Sequence, residues 1–259
     1  MAVLPDKAAV VAAPWPERRQ EFLMTLPISI IIPVLNEASV LASTLQSLQE
    51  LRARGHEVIV VDGGSRDSSV TVARKLADRV VMTGAGRSQQ MNAGAEYAKH
   101  EVLLFLHADT LLPEQADRLI AEALQPRAAR WGRFDVRLDS QRAVFRLIEN
   151  AINWRSALSG IATGDQAIFV ERHYFERVGF YDRIPLMEDV TLSKKLLYFA
   201  WPARVTSPVL TSARKWEQRG VVNTVLLMWV LRTAFFLGAD PARLLQLYYP
   251  PAAPEAPSR

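Results

Sequence analysis

The stretch ISIIIPVLNE, residues 28–37, decides the fold. Its first seven residues are almost all β-branched and apolar, without the polar alternation of a strand that faces water. Such a run marks a strand buried on both faces, as in a parallel sheet covered by helices. The polar residues Asn36 and Glu37 then stop it. Asn36 is of the type that caps the helix expected over VLASTLQSLQELRARG, with Gly55 as its stop.

The same rhythm continues outward. EVIVVDGG reads as a second strand, SRDSSVTVARKLA as a helix and DRVVMTG as a third strand. RSQQMNAGAEYAKH reads as a further helix and EVLLFLHAD as a fourth strand. Alternating strands and helices give βαβ crossovers and a mainly parallel α/β sheet. Beyond Pro113 the pattern loosens. PEQADRLIAEALQ is helical, ARWGRFDVRLD alternates as a strand exposed on one face, and QRAVFRLIENAINWRSALSG is helical. QAIFV is a short strand, and LMEDVTLSKKLLYFA is a helix entered through its two acids.

Composition narrows the chemistry. A chain of 259 residues with 49% hydrophobic and 22% charged residues builds a substantial core. The net charge of +4 is too small to argue for nucleic acid. Without cysteine there are no disulfides or thiolate metal sites, so a metal must be held by oxygen or histidine. Residues 1–25, rich in Ala and Pro, read as a disordered extension, with Met24 as an alternative start. Residues 250–259 read as a disordered tail.

In open parallel sheets ligands collect beyond the carboxyl ends of the strands. Four polar segments fall there: PVLNE, DGGSRD, GAGRS and HADT. GAGRSQQMNAG is not a dinucleotide fingerprint, because it follows the third strand and has the wrong glycine spacing. Arg87, at a helix start, is placed to face a phosphate, with a solvated surface charge as the alternative.

ISIIIPVLNE, VIVVDGGSRD, GRSQQMNAGA, FLHADT, MED and ARKWEQRG, in that order, resemble family 2 glycosyltransferases of GT-A fold. The resemblance runs from about Leu26 to Gly220. It is nearest a bacterial subgroup named arsenosugar-biosynthesis-like glycosyltransferases. It implies a GT-A domain over residues 26–220, an inverting transfer from a nucleotide-sugar donor to an acceptor hydroxyl, and Mn²⁺ or Mg²⁺ as cofactor. Pro33, Asn36, Glu37, Asp62, Arg87 and His107 match donor-binding positions. A uridine nucleotide is favoured, although Gly63 stands where the family has a second acid. Asp109 matches the metal-binding acid, and His107 replaces the aspartate two residues before it. There it would serve the ribose or, with Mn²⁺, the metal. Asp189 matches the catalytic base, with Glu188 beside it. Gly164, Asp165 and Gln166 match the acceptor side. Arg214 and Trp216 match part of a Q-x-x-R-W element, and would meet the diphosphate and stack on a sugar.

Val221 to Leu237 is mostly apolar around the whole helical circumference. It is short for a membrane span and contains Arg232. The expectation is a helical segment over residues 221–249 that packs on the domain, on a second subunit as in a homodimer, or in the plane of a membrane. The implied location is cytoplasmic, peripheral on the inner face of the cell membrane. Two other readings stay open: a catalytically degenerate sugar-nucleotide-binding protein at a membrane, and a sugar-nucleotidyltransferase.

Overall fold

The computed structural model describes residues 26–125 and 129–248; the extension expected over residues 1–25 and the tail expected over residues 250–259 lie outside the described residues. Its strands are β1 (Ile28–Val34), β2 (Glu57–Asp62), β3 (Arg79–Met82), β4 (Val102–Phe105), β5 (Thr110–Leu111), β6 (Trp131–Leu138), β7 (Phe169–Glu171) and β8 (Ala203–Thr211). Its helices are α1 (Ala38–Ser47), α2 (Gln49–Ala53), α3 (Ser69–Leu76), α4 (Arg87–Tyr97), α5 (Ala116–Ala123) and α6 (Ala143–Ser159). They continue as α7 (Arg172–Arg177), α8 (Glu188–Leu197), α9 (Arg214–Arg219), α10 (Val221–Phe236) and α11 (Pro241–Tyr248).

One sheet runs in the order β3-β2-β1-β4-β7-β6-β8-β5. The β3/β2, β2/β1, β1/β4 and β6/β8 pairs are parallel, whereas β4/β7, β7/β6 and β5/β8 are antiparallel. The alternation of β1 shows why its sequence is apolar throughout. Ile28, Ile30 and Ile32 pack with Leu41 and Leu45 of α1, while Ile31 joins Met91 and Ala95 of α4 on the other face. Register then aligns the carboxyl ends, with Val34 opposite Asp62 and Asp62 opposite Met82. The loops after β1, β2 and β3 therefore share one edge.

Two expectations are corrected. The strand β6 is not exposed on one face: of its residues only Arg137 is exposed. Its alternating polar residues Arg133 and Asp135 face inward and pair with each other, and Arg204 closes on Asp135 at 2.8 Å. Internal charge pairing thus imitates the alternation of a solvated face. The helix after β1 also breaks at Leu48 into α1 and α2, before Gly55 at φ 94°.

Helices α10 and α11 pack through Leu231 and Leu244 onto Ile161, Met187 and Val190. No helix among the described residues is long and apolar enough to cross a membrane.

Candidate active site

The first two carboxyl-edge loops lock onto each other. The Asn36 backbone N–H donates to Ser65 Oγ, and Asn36 Oδ1 accepts from the Arg66 N–H, each at 2.8 Å. Asn36 adopts φ 55°, a left-handed conformation that asparagine tolerates better than most residues. It does not cap α1 as expected. Asp67 Oδ2 and Ser69 Oγ instead accept the N–H groups of Ala38 and Glu37, both at 3.0 Å. Asp62 is buried, and its Oδ2 accepts the N–H groups of Gly64 and Ser65 at 2.8 Å. Its Oδ1 is also buried and has no hydrogen-bond partner among the described residues. Pro33 lies within β1, opposite Val61.

Gly63 has a packing reason. A Cβ there would meet the Gln90 side-chain amide at 3.1 Å. Gln90 Nε2 donates to the carbonyls of Val34 and Val61, both at 2.8 Å, and so bridges the ends of β1 and β2.

Arg87, Met91, Phe105, His107, Gly164, Ile168, Tyr181, Glu188 and Asp189 line one pocket. Asp189 lies in the first turn of α8. Its Oδ2 accepts the Gly164 N–H at 2.8 Å, and its Oδ1 accepts the Val190 N–H at 2.7 Å. Glu188 is buried and faces Arg87, with Oε1 and Nη1 3.5 Å apart. Burial pushes the Glu188 carboxyl up to about 7, the Asp189 charge adds to the rise, and Arg87 opposes it. Burial also drives the Tyr181 hydroxyl well above its ordinary range, reinforced by both carboxylates.

His107 is brought to the Asp189 side of this pocket. A Cβ added at Gly164 would lie 2.7 Å from His107 Nε2 and 3.8 Å from Asp189 Oδ2. Position 164 thus lacks room for a side chain. Asp109 sits half-buried in the turn where the Thr110 N–H donates to the His107 carbonyl at 3.2 Å.

The remaining predicted residues divide. Arg214 Nη2 reaches Glu37 Oε2 at 3.2 Å, joining α9 to the loop after β1. Asp165 is half-buried, with a buried Oδ1 that has no hydrogen-bond partner among the described residues. Gln166 does not line the pocket: it is fully buried and forms a capping box with Thr163. Trp216 packs beside the cluster of Leu138, Phe145 and Ile148. Tyr181 and Ile168 were not anticipated, because single apolar residues in irregular segments carry no spacing signal, and Met91 reads as one more core residue of α4. Arg155 of α6 donates to the Ile161 carbonyl at 3.1 Å and to Thr163 Oγ1 at 3.4 Å; it was missed because a lone arginine on a helix reads as a solvated charge.

Among the described residues no three His, Asp or Glu side chains cluster as a metal site. Asp109 is a single hard oxygen donor, which suits an ion that completes its shell with phosphate and water oxygens. The donor set therefore fits Mg²⁺ or Mn²⁺ only together with a phosphate-bearing ligand.

Comparison with known proteins decides the family. The model of Glycosyl transferase family 2 matches residues 29–178, more than half of the chain. The chain belongs to glycosyltransferase family 2. A PGL/p-HBAD biosynthesis glycosyltransferase of Mycobacterium bovis is 40% identical over 98 residues, covering 35% of this chain and 38% of that protein. The match thus spans well under half the length of that relative. S. aureus TarS residues 1–349, solved in complex with UDP-GlcNAc, align with a TM-score of 0.60 at 14% identity. That alignment covers 85% of this chain and 70% of the other. A mannosyltransferase of Pyrobaculum calidifontis, solved with GDP-Man and Mn²⁺, aligns with a TM-score of 0.55 at 19% identity, covering 85% and 68%. These structures establish the GT-A fold. The relatives named are not arsenosugar enzymes, so the expected subgroup is replaced by the family as a whole.

Proposed function

We propose that this glycosyltransferase inverts the anomeric carbon of a nucleoside diphosphate sugar, with Asp189 as the base that activates an acceptor hydroxyl. The Asp189 carboxylate carries this reading. Two backbone N–H groups, from Gly164 and Val190, orient it at the pocket wall. Those bonds fix the carboxylate's orientation and leave lone pairs for a proton. The acceptor hydroxyl gives its proton to Asp189 as its oxygen attacks the anomeric carbon. The bond from that carbon to the diphosphate oxygen breaks, and the nucleoside diphosphate leaves with the electron pair.

Asn36, Glu37 and Asp62 hold the nucleoside end, and Arg87 and Arg214 face the diphosphate. Asp109 would hold a divalent ion, Mn²⁺ or Mg²⁺, and His107 would be a further ligand for Mn²⁺. When bound, the ion supplies positive charge to the leaving diphosphate. A uridine donor is the first to test and a guanosine donor the second, since similarly folded proteins were solved with each. The same reading places the protein in the cytoplasm, against the inner face of the cell membrane.

Replacing Asp189 by Asn tests the base. Turnover of the donor with acceptor should fall by roughly 10²- to 10⁴-fold while nucleotide affinity stays close to wild type. Turnover near the wild-type rate would remove Asp189 from that role.

A further inference from the structure

Three buried polar atoms near the segment that leads to Gly164 have no hydrogen-bond partner among the described residues: Arg155 Nε, Asp165 Oδ1 and Arg232 Nε. Arg155 of α6 spends its two Nη atoms on the Ile161 carbonyl and on Thr163 Oγ1, which leaves Nε unused. Thr163 and Asp165 flank Gly164, whose N–H donates to Asp189 Oδ2. Arg232 of α10 follows Leu231, which packs with Ile161, Met187 and Val190, and its charge acts on Arg155. Two helices far apart in the sequence thus bring two guanidinium groups to the stretch beside Asp189.

No contact within the fold neutralises them. Among the described residues neither arginine forms an ion pair with Asp165 or Asp189, and both Asp189 oxygens already accept backbone N–H groups. Arg133, a third arginine whose charge reaches Arg155, is paired with Asp135. Burial and then the Arg232 charge bring the Arg155 guanidinium down to about 10, although Asp165 and Asp189 pull the other way. A guanidinium with a buried, unused N–H, set near a second of like charge, weakens the fold unless a ligand completes it. A neutral hydroxyl satisfies the N–H but not the charge. An oxyanion does both, and it matches the planar fork of arginine. Both side chains are half-buried rather than enclosed, so each keeps a part open to solvent.

We propose that Arg155 and Arg232 form an anion subsite beside Asp189, and that the acceptor carries a phosphate group close to the hydroxyl that receives the sugar. The inference rests on the reading of Asp189 as the base and names the chemical class of its acceptor. Asp165 Oδ1, on the same segment, takes a hydrogen bond from a further hydroxyl of that acceptor.

The test is calorimetric titration of inorganic phosphate into the full chain, with and without saturating UDP and Mg²⁺, at an ionic strength held constant with chloride. Wild type is compared with Arg232→Met, which keeps the apolar stem and removes the charge. Wild type should bind phosphate saturably in the presence of UDP, and the variant about tenfold more weakly with unchanged UDP affinity. Without phosphate the variant should melt above wild type, because an uncompensated charge is gone, and added phosphate should raise the melting temperature of wild type more than that of the variant. Octyl phosphate and glycerol 3-phosphate are titrated in parallel: tighter binding of the first assigns the phosphate to a lipid acceptor, and of the second to a soluble one. Absence of saturable phosphate binding, equal binding by wild type and variant, or a variant that melts below wild type overturns the proposal. Phosphate binding together with near wild-type turnover in Asp189→Asn defeats the base alone, whereas turnover lost in Asp189→Asn without phosphate binding by wild type defeats the subsite alone.

Discussion

Glu188 and Asp189 are neighbours in the chain with different environments. Glu188 is buried beside Arg87, while Asp189 is half-buried and held by two backbone N–H groups. The pair was legible as two acids before a helix; the burial that separates them was not, because Tyr181 and Gly164 come from distant segments. Raising the Glu188 carboxyl from its ordinary 4.5 to about 7 means that the folded state holds its proton through that interval. The linked stability is complete below the unfolded value and is lost as pH rises through the folded one. Glu188→Gln fixes a neutral side chain there. It should raise the melting temperature above about pH 8 and change it little below about pH 5, with a differential of up to about 3 kcal/mol. An equal shift at both pH values would contradict the buried-acid assignment. Gly63 and His107 were legible as departures from the family pattern. Their causes are spatial: Gln90 fills the volume beside position 63, and His107 rests against Gly164.

The strands that sequence reads best are those buried on both faces. β1 and β2 have an apolar pattern with no competing interpretation, since helices cover both sides. β6 misleads because Arg133 and Asp135 neutralise each other inside the fold. β8 was not anticipated; its exposed positions and Pro208 resemble a loop, and its place is set by β6 and β5. The Asn36 cap failed for a related reason, as Asp67 and Ser69 of the neighbouring loop supply the acceptors. Close approach between elements gives a sharp test. A Cβ at Gly94 of α4 would lie 2.4 Å from Ile31 Cγ2 and 3.0 Å from Val61 Cγ2. Gly94→Ala should therefore destabilise the protein by about 1–3 kcal/mol in urea unfolding. Gly84→Ala, whose nearest neighbour would be Gln89 at 3.6 Å, should be close to neutral. Equal stability of the two variants would contradict the packing of α4 on β1.

At the scale of the molecule, the βα half of the sheet carries the loops proposed to bind the donor, and the later half carries the segment proposed to meet the acceptor. The Arg214–Glu37 pair spans that division. The donor half was largely legible, because regular βα units place their loops at one edge. The acceptor half was less so, because residues 160–189 are mainly irregular and their contacts depend on α6, α8 and α10. The central claim is that this edge binds a nucleoside diphosphate through a divalent ion held by Asp109. It is tested most directly by calorimetric titration of wild type and Asp109→Ala with UDP, GDP and dTDP, each with Mn²⁺ and with EDTA. The account predicts metal-dependent binding of one nucleotide by wild type, and loss of that metal dependence in Asp109→Ala. Failure to bind all three nucleotides, or an unchanged metal-dependent affinity in the variant, would contradict it.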